Sequence, residues 1–264
     1  MRKSWKKDCS NQKMSLRTDE IGFGGIRLVQ DSDLFCYGVD AVLLADFCNA
    51  SEKDRVFELG SGNGAVLFMI WAKYRPASLT GAELQKACWE LSEKSLELNG
   101  LSDRISFVNY DILDLKERFR DGAATLVVTN PPYFERGRAI VSADDSVGLA
   151  RHESTAGLSD FMNEAARLLE RGGRLCMVHR PSRIADILVC AREAGLEPKK
   201  ILPVVPKAGQ APNIMLFEFQ KGAGRELKYL PQLVLRNQDG SFTDELCTIY
   251  GSYYGHRSKI ETKK

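Results

Sequence analysis

Apolar positions along this chain alternate between two spacings. Short, nearly continuous apolar runs predict strands at 55–59, 77–82, 105–109, 124–129 and 173–179. Between them, apolar residues recur every three to four positions and predict helices at 64–74, 84–98, 158–170 and 182–194. In the second of these Leu84, Cys88, Leu91 and Leu98 share a face, and Asn99-Gly100 supplies a stop. Gly172-Gly173 turns the chain into the fifth strand, and further short strands are expected near 201–205 and 214–219. Strands alternating with helices imply an α/β fold with a doubly wound, mostly parallel sheet.

The flanks follow a different pattern. Ile26–Gln30 and Leu34–Tyr37, across Asp31-Ser32-Asp33, predict an N-terminal β-hairpin. Asp40 is placed to cap a helix over Ala41–Phe47. In the tail, Leu233–Leu235 and Leu246–Tyr250 predict a second hairpin around Gln238-Asp239-Gly240. The expected organisation is a loosely ordered basic start over 1–18, one domain over 19–254 that includes both hairpins, and a basic tail over 255–264.

Composition narrows this picture only a little. A chain of 264 residues can bury one large core with small additions. The 37 basic and 35 acidic residues leave a formal charge of +2, which neither demands nor excludes a nucleic-acid partner. Seven cysteines form no C-x-x-C pair and no metal-ligand spacing with the three histidines, so no metal is expected, and their apolar contexts suit a reducing cytoplasm. No apolar run is long enough for a membrane span, and no apolar stretch follows Arg2, Lys3, Lys6 and Lys7 to make a secretory signal.

Candidate chemistry gathers at strand ends. The first strand of the alternating region runs into Gly60, Gly62 and Gly64, where the chain can turn tightly and approach a ligand without a Cβ in the way. Glu83 ends the next strand, placed for the two hydroxyls of a ribose. This combination suits a dinucleotide or S-adenosylmethionine. The spacing departs from the dinucleotide fingerprint because Ala65 stands where a third glycine would fall, and no Gly-Lys-Ser/Thr marks a P-loop. Glu58, two residues before the first glycine, either attracts a cationic sulfonium and amino group or pairs with a backbone N–H. Asp111 follows the third strand and either accepts an adenine amino group or caps a turn. After the fourth strand comes Asn130-Pro131-Pro132-Tyr133, followed by Phe134. The Asn130 side-chain carbonyl and the next backbone carbonyl can each accept an N–H of one planar amine, the prolines fix the acceptors in place, and the Tyr133 ring offers a stacking face. All these residues fall at carboxyl ends of predicted strands, the edge where open α/β sheets bind ligands.

Glu58-Leu59-Gly60-Ser61-Gly62-Asn63-Gly64, Glu83, Asp111 and Asn130-Pro131-Pro132-Tyr133 together resemble the class I S-adenosylmethionine-dependent methyltransferases that act on planar nitrogens. Tyr37 to Ala45, Phe134 and Ala150-Arg151-His152-Glu153 carry a closer resemblance to bacterial tRNA (adenine-N6)-methyltransferases that modify adenosine 37 of a valine tRNA. The likeness runs from about residue 20 to 254. It implies that Gly60, Gly62 and Gly64 line the methionine side of the cofactor, Glu83 the ribose and Asp111 the cofactor adenine. It further implies that Asn130 and the Pro131 carbonyl hold the target amine while Tyr133 stacks on the target base, and that tRNA is the partner. Arg151, His152 and Glu153 are expected to pair internally or guide RNA. RNA-contact candidates are Arg2, Lys3, Lys6 and Lys7, then Arg136 and Arg138, then His256, Arg257 and Lys259. Three other readings share the motif or the fold: methylation of a protein glutamine amide, methylation of a DNA adenine, and a non-catalytic RNA-binding module.

Overall fold

The computed structural model describes residues 16–21, 24–34, 36–131 and 156–251. A short antiparallel hairpin comes first, from β1 (Leu16–Glu20) and β2 (Arg27–Asp31). The partner of β2 therefore lies before it rather than at 34–37, and part of the stretch expected to be loosely ordered is a strand. Gly24 and Gly25, both at positive φ, supply the reversal that Asp31-Ser32-Asp33 was expected to make.

The alternating pattern then unfolds as predicted, within a few residues at element ends. It comprises α1 (Val39–Phe47), β3 (Arg55–Leu59), α2 (Ala65–Tyr74), β4 (Ser78–Glu83), α3 (Lys86–Asn99), β5 (Ile105–Asn109) and β6 (Ala124–Thr129). After it come α4 (Leu158–Leu168), β7 (Leu169–His179), α5 (Ile184–Glu193), β8 (Leu196–Lys207) and β9 (Ile214–Lys221). Two short strands, β10 (Lys228–Tyr229) and β11 (Leu233–Arg236), precede α6 (Asp244–Tyr250). The main sheet runs β10-β8-β9-β7-β6-β3-β4-β5, with β11 also on β8, and β9 runs antiparallel to both its neighbours. The mixed, mostly parallel α/β architecture agrees with the sequence.

Alternating strand residues face two cores. Val56, Leu126 and Val128 pack with α1, α2 and α3 on one face, while Phe57, Leu59 and Val127 pack with α4 and α5 on the other. α3 buries Cys88, Leu91, Ser92, Ser95 and Leu96, and leaves Leu98 at the surface. Ser92 Oγ donates to the Trp89 carbonyl within the helix at 2.7 Å, and Ser95 is explained by the hairpin. Ser95 Oγ accepts the Val29 N–H at 2.9 Å, and Asn99 exchanges hydrogen bonds with the Arg27 backbone, so α3 side chains satisfy the outer edge of β2.

The tail departs from expectation. β11 lies parallel to β8, and 244–250 is helical, so the predicted second hairpin survives only as an isolated bridge between Arg236 and Phe242. Thr243 caps α6 by accepting the Leu246 N–H at 3.2 Å, and Asp244 and Glu245 sit in the first turn where the helix dipole favours them. Asp40 is likewise inside the first turn of α1, whose N-cap is Gly38.

Candidate active site

Four parallel strands bring the predicted residues into one row. Leu59 of β3 is level with Ala82 of β4 and Thr129 of β6, so Gly60 stands between Glu83 on one side and Asn130 on the other. Glu83 is in turn level with Asn109 of β5, two residues before Asp111. With strands ~4.8 Å apart, Asn130, Gly60, Glu83 and the end of β5 span roughly 14 Å. Thr129 Oγ1 donates to the Leu59 carbonyl at 2.9 Å and ties β6 to β3 immediately before both turns.

The glycine turn is held from below. Gly60 and Ser61 N–H both donate to the Ala82 carbonyl, at 2.9 and 3.0 Å. Gly62 N–H donates to Glu83 Oε2 at 2.7 Å, and Gln85 N–H donates to Oε1 at 2.8 Å. Glu83 therefore braces the turn as well as ending β4. Each carboxylate oxygen keeps a second lone pair for a ligand hydroxyl. Burial raises its pKa, and the backbone N–H groups oppose that rise.

The three glycines do different jobs. Gly60, Gly62 and Gly64 have φ of 71°, 54° and 83°. A Cβ at Gly64 would lie 2.5 Å from Phe107 Cζ, so that position serves packing. A Cβ at Gly62 would meet nothing within 4 Å, so the space above it is open. A Cβ at Gly81 on β4 would be equally tight, 2.6 Å from Phe107 Cδ1 and 2.9 Å from Ser61 Cβ.

Glu58 is 1 % exposed. The Leu67 backbone N–H, in the first turn of α2, favours its charged form from a helix start whose own N-cap, Gly64, has no side chain to offer. This is the backbone-pairing alternative of the sequence reading. Burial pushes its pKa well above the usual carboxylate range, the Glu83 charge adds to the rise, and the Leu67 hydrogen bond opposes it. Glu58 Oε2, Ser61 Oγ and Asn63 Nδ2 are buried without a hydrogen-bond partner. Among the described residues only Trp71 Nε1 shares that condition. Such clustering around one turn is what a polar ligand or ordered water would relieve.

Asp111 caps a 3-10 helix over Ile112–Glu117, its Oδ1 accepting the Leu113 N–H at 3.0 Å. Asn130 is half-buried and Pro131 buried at the end of β6. Tyr133 lies outside the described residues. So do Arg136 and Arg138, the RNA-contact candidates Arg2, Lys3, Lys6, Lys7, His256, Arg257 and Lys259, and Arg151-His152-Glu153. Among the described residues no group of His, Cys, Asp or Glu is arranged for a metal ion, and no helix is long and apolar enough to cross a membrane.

Two features were not singled out from the sequence. One is the orphaned Ser61–Asn63 pair, hidden within a motif read for its glycines. The other is His179, the last residue of β7, two residues beyond the level of Thr129 and 3 % exposed. Its Nδ1 accepts the Arg180 N–H at 2.8 Å, which leaves the proton on Nε2. Burial and the nearby Arg183 lower its pKa to about 4, so the ring is neutral at neutral pH. Its position at a strand end on the shared edge was the available signal.

The family described as the methyltransferase small domain matches residues 25–188, and the chain belongs to that family. The chain is 25% identical over 234 residues to a tRNA1(Val) (adenine(37)-N6)-methyltransferase from Tolumonas auensis, covering 88% of this chain and 95% of that protein. A protein of the same name from Yersinia pseudotuberculosis is 26% identical over 218 residues, covering 82% of this chain and 84% of its own length. Among solved structures, a predicted O-methyltransferase from Agrobacterium tumefaciens is similar in fold, with a TM-score of 0.66 and 23% identity over 80% of this chain and 95% of that one.

Proposed function

We propose that this member of the methyltransferase small domain family transfers a methyl group from S-adenosylmethionine to the N6 amino group of an adenine in tRNA, adenosine 37 of a valine tRNA being the specific site. The observation that carries this reading is the register that places Asn130 beside Gly60 and Gly60 beside Glu83 on neighbouring strands. A cofactor turn and an amine clamp are thereby one strand apart. The named relatives support the choice of RNA and of the base.

The residues around the glycine turn fit the cofactor. Open space above Gly62 admits a chain of atoms close to the backbone. The unpartnered Asn63 Nδ2 and Ser61 Oγ suit a carboxylate, and the Glu58 carboxyl suits an ammonium group. The remaining lone pairs of Glu83 suit ribose hydroxyls, and Asp111 stands further along the row for the adenine. When bound, S-adenosylmethionine supplies a methyl group on a positively charged sulfur.

The protein's part is to hold and aim. The Asn130 side-chain carbonyl and the Pro131 carbonyl accept the two N–H groups of the target amine. That draws the nitrogen lone pair out of conjugation with the ring and points it at the methyl group. A cofactor held at the glycine turn by Glu58, Ser61, Asn63 and Glu83 would supply the methyl group and leave as a neutral thioether, and the surplus N6 proton would pass to water. Positioning and fixed dipoles supply the acceleration, with no residue required as a strong base. His179, neutral and already committed at Nδ1, is not needed as one.

The test is to incubate the protein with methyl-labelled S-adenosylmethionine and total tRNA, digest the RNA and identify the labelled nucleoside. N6-methyladenosine, mapped to position 37 of a valine tRNA, is expected. Label in another nucleoside, or faster transfer to a glutamine-bearing protein or duplex DNA, overturns the reading.

A further inference from the structure

β7 and β8 run in the same direction, so both end on the edge that carries the glycine turn and Asn130. β11 is parallel to β8 and ends there too. Each of these three strands finishes on a cation. Arg180 follows the last residue of β7 and is exposed, Lys207 closes β8, and Arg236 closes β11 directly opposite Lys207. Arg183 follows one turn after Arg180.

The register fixes where they stand. His179 of β7 is level with Met215 of β9, which is level with Pro203 of β8. Arg180 is thus level with Val204, and Lys207 and Arg236 stand three residues, ~10 Å, further out along the strand direction. From β6, which carries Asn130, to β11 is four strand steps, roughly 19 Å. The cations form a rising wall on the β7 side of the amine clamp, over a reach of a few nucleotides.

Lys207 and Arg236 are held largely by neutral groups. Lys207 Nζ donates to the Gln238 carbonyl at 3.3 Å, and Arg236 Nη1 donates to the Gly240 carbonyl at 2.8 Å while its guanidinium lies 4.6 Å from the Phe242 ring centre. Both therefore project over the same 237–240 turn. Among the described residues, the carboxylates nearby are Asp239 in that turn, which takes the Ser241 N–H and hydroxyl and is stabilised as an anion by the Lys207 charge, and Asp186, paired with Arg183 at 2.7 Å.

We propose that Arg180, Lys207 and Arg236, with Arg183 behind them, form a strip that binds the phosphodiester backbone of the RNA whose adenine enters the Asn130 clamp. This rests on the proposed function for the identity of the polyanion, and adds to it the surface and the direction from which the RNA arrives. Phosphate contacts of this kind set register and orientation without reading sequence.

The test compares wild type with the triple variant Arg180→Gln, Lys207→Gln, Arg236→Gln. The probe is a labelled RNA hairpin with an unpaired adenine in its loop, titrated by anisotropy over a range of KCl concentrations. A single-stranded contact contributes a slope of about −0.7 per phosphate to log K against log salt, so the triple variant should bind with a slope shallower by roughly 2 and, at low salt, at least about tenfold more weakly. Calorimetry with S-adenosylhomocysteine and the thermal melt should match wild type, which separates the strip from folding and from the cofactor site. The conservative triple variant Arg180→Lys, Lys207→Arg, Arg236→Lys should restore the slope, which a lost packing role of Arg236 on Phe242 would not do. Unchanged slope and affinity in the Gln variant overturn the strip alone. A wild type that binds no RNA overturns both the strip and the proposed function. Displacement of the RNA by polyglutamate at equal affinity overturns RNA as the partner in favour of an acidic protein.

Discussion

Replacing Gly62 and Gly64 separately by alanine should divide the ligand role of the turn from its packing role. Both glycines have positive φ, so each substitution carries the backbone cost of placing an L-residue there, roughly 1–2 kcal/mol. For Gly62 that is the whole cost, since its added Cβ meets nothing within 4 Å. For Gly64 the new methyl would also sit 2.5 and 3.0 Å from Phe107 ring atoms and 3.1 Å from Phe68 Cε2. Phe107 has little room to move, because Gly81 also packs directly on its ring edge and its neighbour Phe68 is 5.8 Å away ring to ring. Overpacking of that kind adds about 1–3 kcal/mol, for a total of roughly 2–5 kcal/mol. Against a typical domain stability of about 5–15 kcal/mol, Gly64→Ala should be visibly crippled and Gly62→Ala should not. Urea unfolding measures the stabilities, and calorimetry with S-adenosylhomocysteine measures the affinities. Gly62→Ala should fold well and lose affinity by roughly tenfold or more, because its methyl fills space assigned to the cofactor. Wild-type affinity in Gly62→Ala would refute the placement of the ligand. A Gly64→Ala protein as stable as Gly62→Ala would refute the packing argument.

Glu83→Ala removes the acceptor for both the Gly62 and Gln85 N–H groups, so it should weaken S-adenosylhomocysteine by about 1–3 kcal/mol in calorimetry and lower the urea midpoint as well; a loss of affinity without any loss of stability would mean the brace is unimportant. The raised pKa of Glu58 means that its folded form favours the proton, so its contribution to stability is complete below the ordinary carboxylate pKa and is lost as pH rises through the raised value. Glu58→Gln, which keeps a side-chain acceptor there, should therefore gain stability relative to wild type as pH rises above the ordinary carboxylate range, and a parallel pH profile would contradict the buried-acid account. His179 acts in the opposite sense: its lowered pKa, about 4, means stability is present above its ordinary value and falls as pH drops from 6.5 towards 4, a slope that His179→Asn should remove in the same unfolding experiment.

The middle of the fold was legible because its elements are self-announcing. Val56-Phe57 and Leu126-Val127-Val128 are buried on both faces, so their apolar runs are continuous, and Gly60 and Gly100 mark where strand and helix must stop. The flanks were not, because their structure depends on distant partners. Ile26–Gln30 is a strand in either pairing, and only the docking of Ser95 and Asn99 on its outer edge selects Leu16–Glu20 over 34–37. Leu246 and Tyr250, read as an extended arm, are four apart on α6, and Thr243 as its cap was the overlooked local signal. At the site, the residue types and their common edge followed from strand ends. What did not follow was division of labour. Glu58 and Glu83 each bind backbone N–H groups and so hold the turn together before any ligand arrives, and Asp111 does the same for the next loop. The cation row was invisible because Arg180, Lys207 and Arg236 are brought together by strand pairing across more than 50 residues of sequence.

The clamp itself is tested most directly by Asn130→Ala, assayed for single-turnover methyl transfer to tRNA beside calorimetry with S-adenosylhomocysteine. The substitution removes one of the two acceptors proposed for the reacting amine and leaves the glycine turn, Glu83 and Asp111 in place. By the measure of losing one preorganised hydrogen-bonding group, transfer should fall on the order of 10²–10³-fold, with cofactor affinity close to wild type. Wild-type transfer by a folded, cofactor-binding Asn130→Ala protein would contradict the assignment of this edge as the site of N6 methylation.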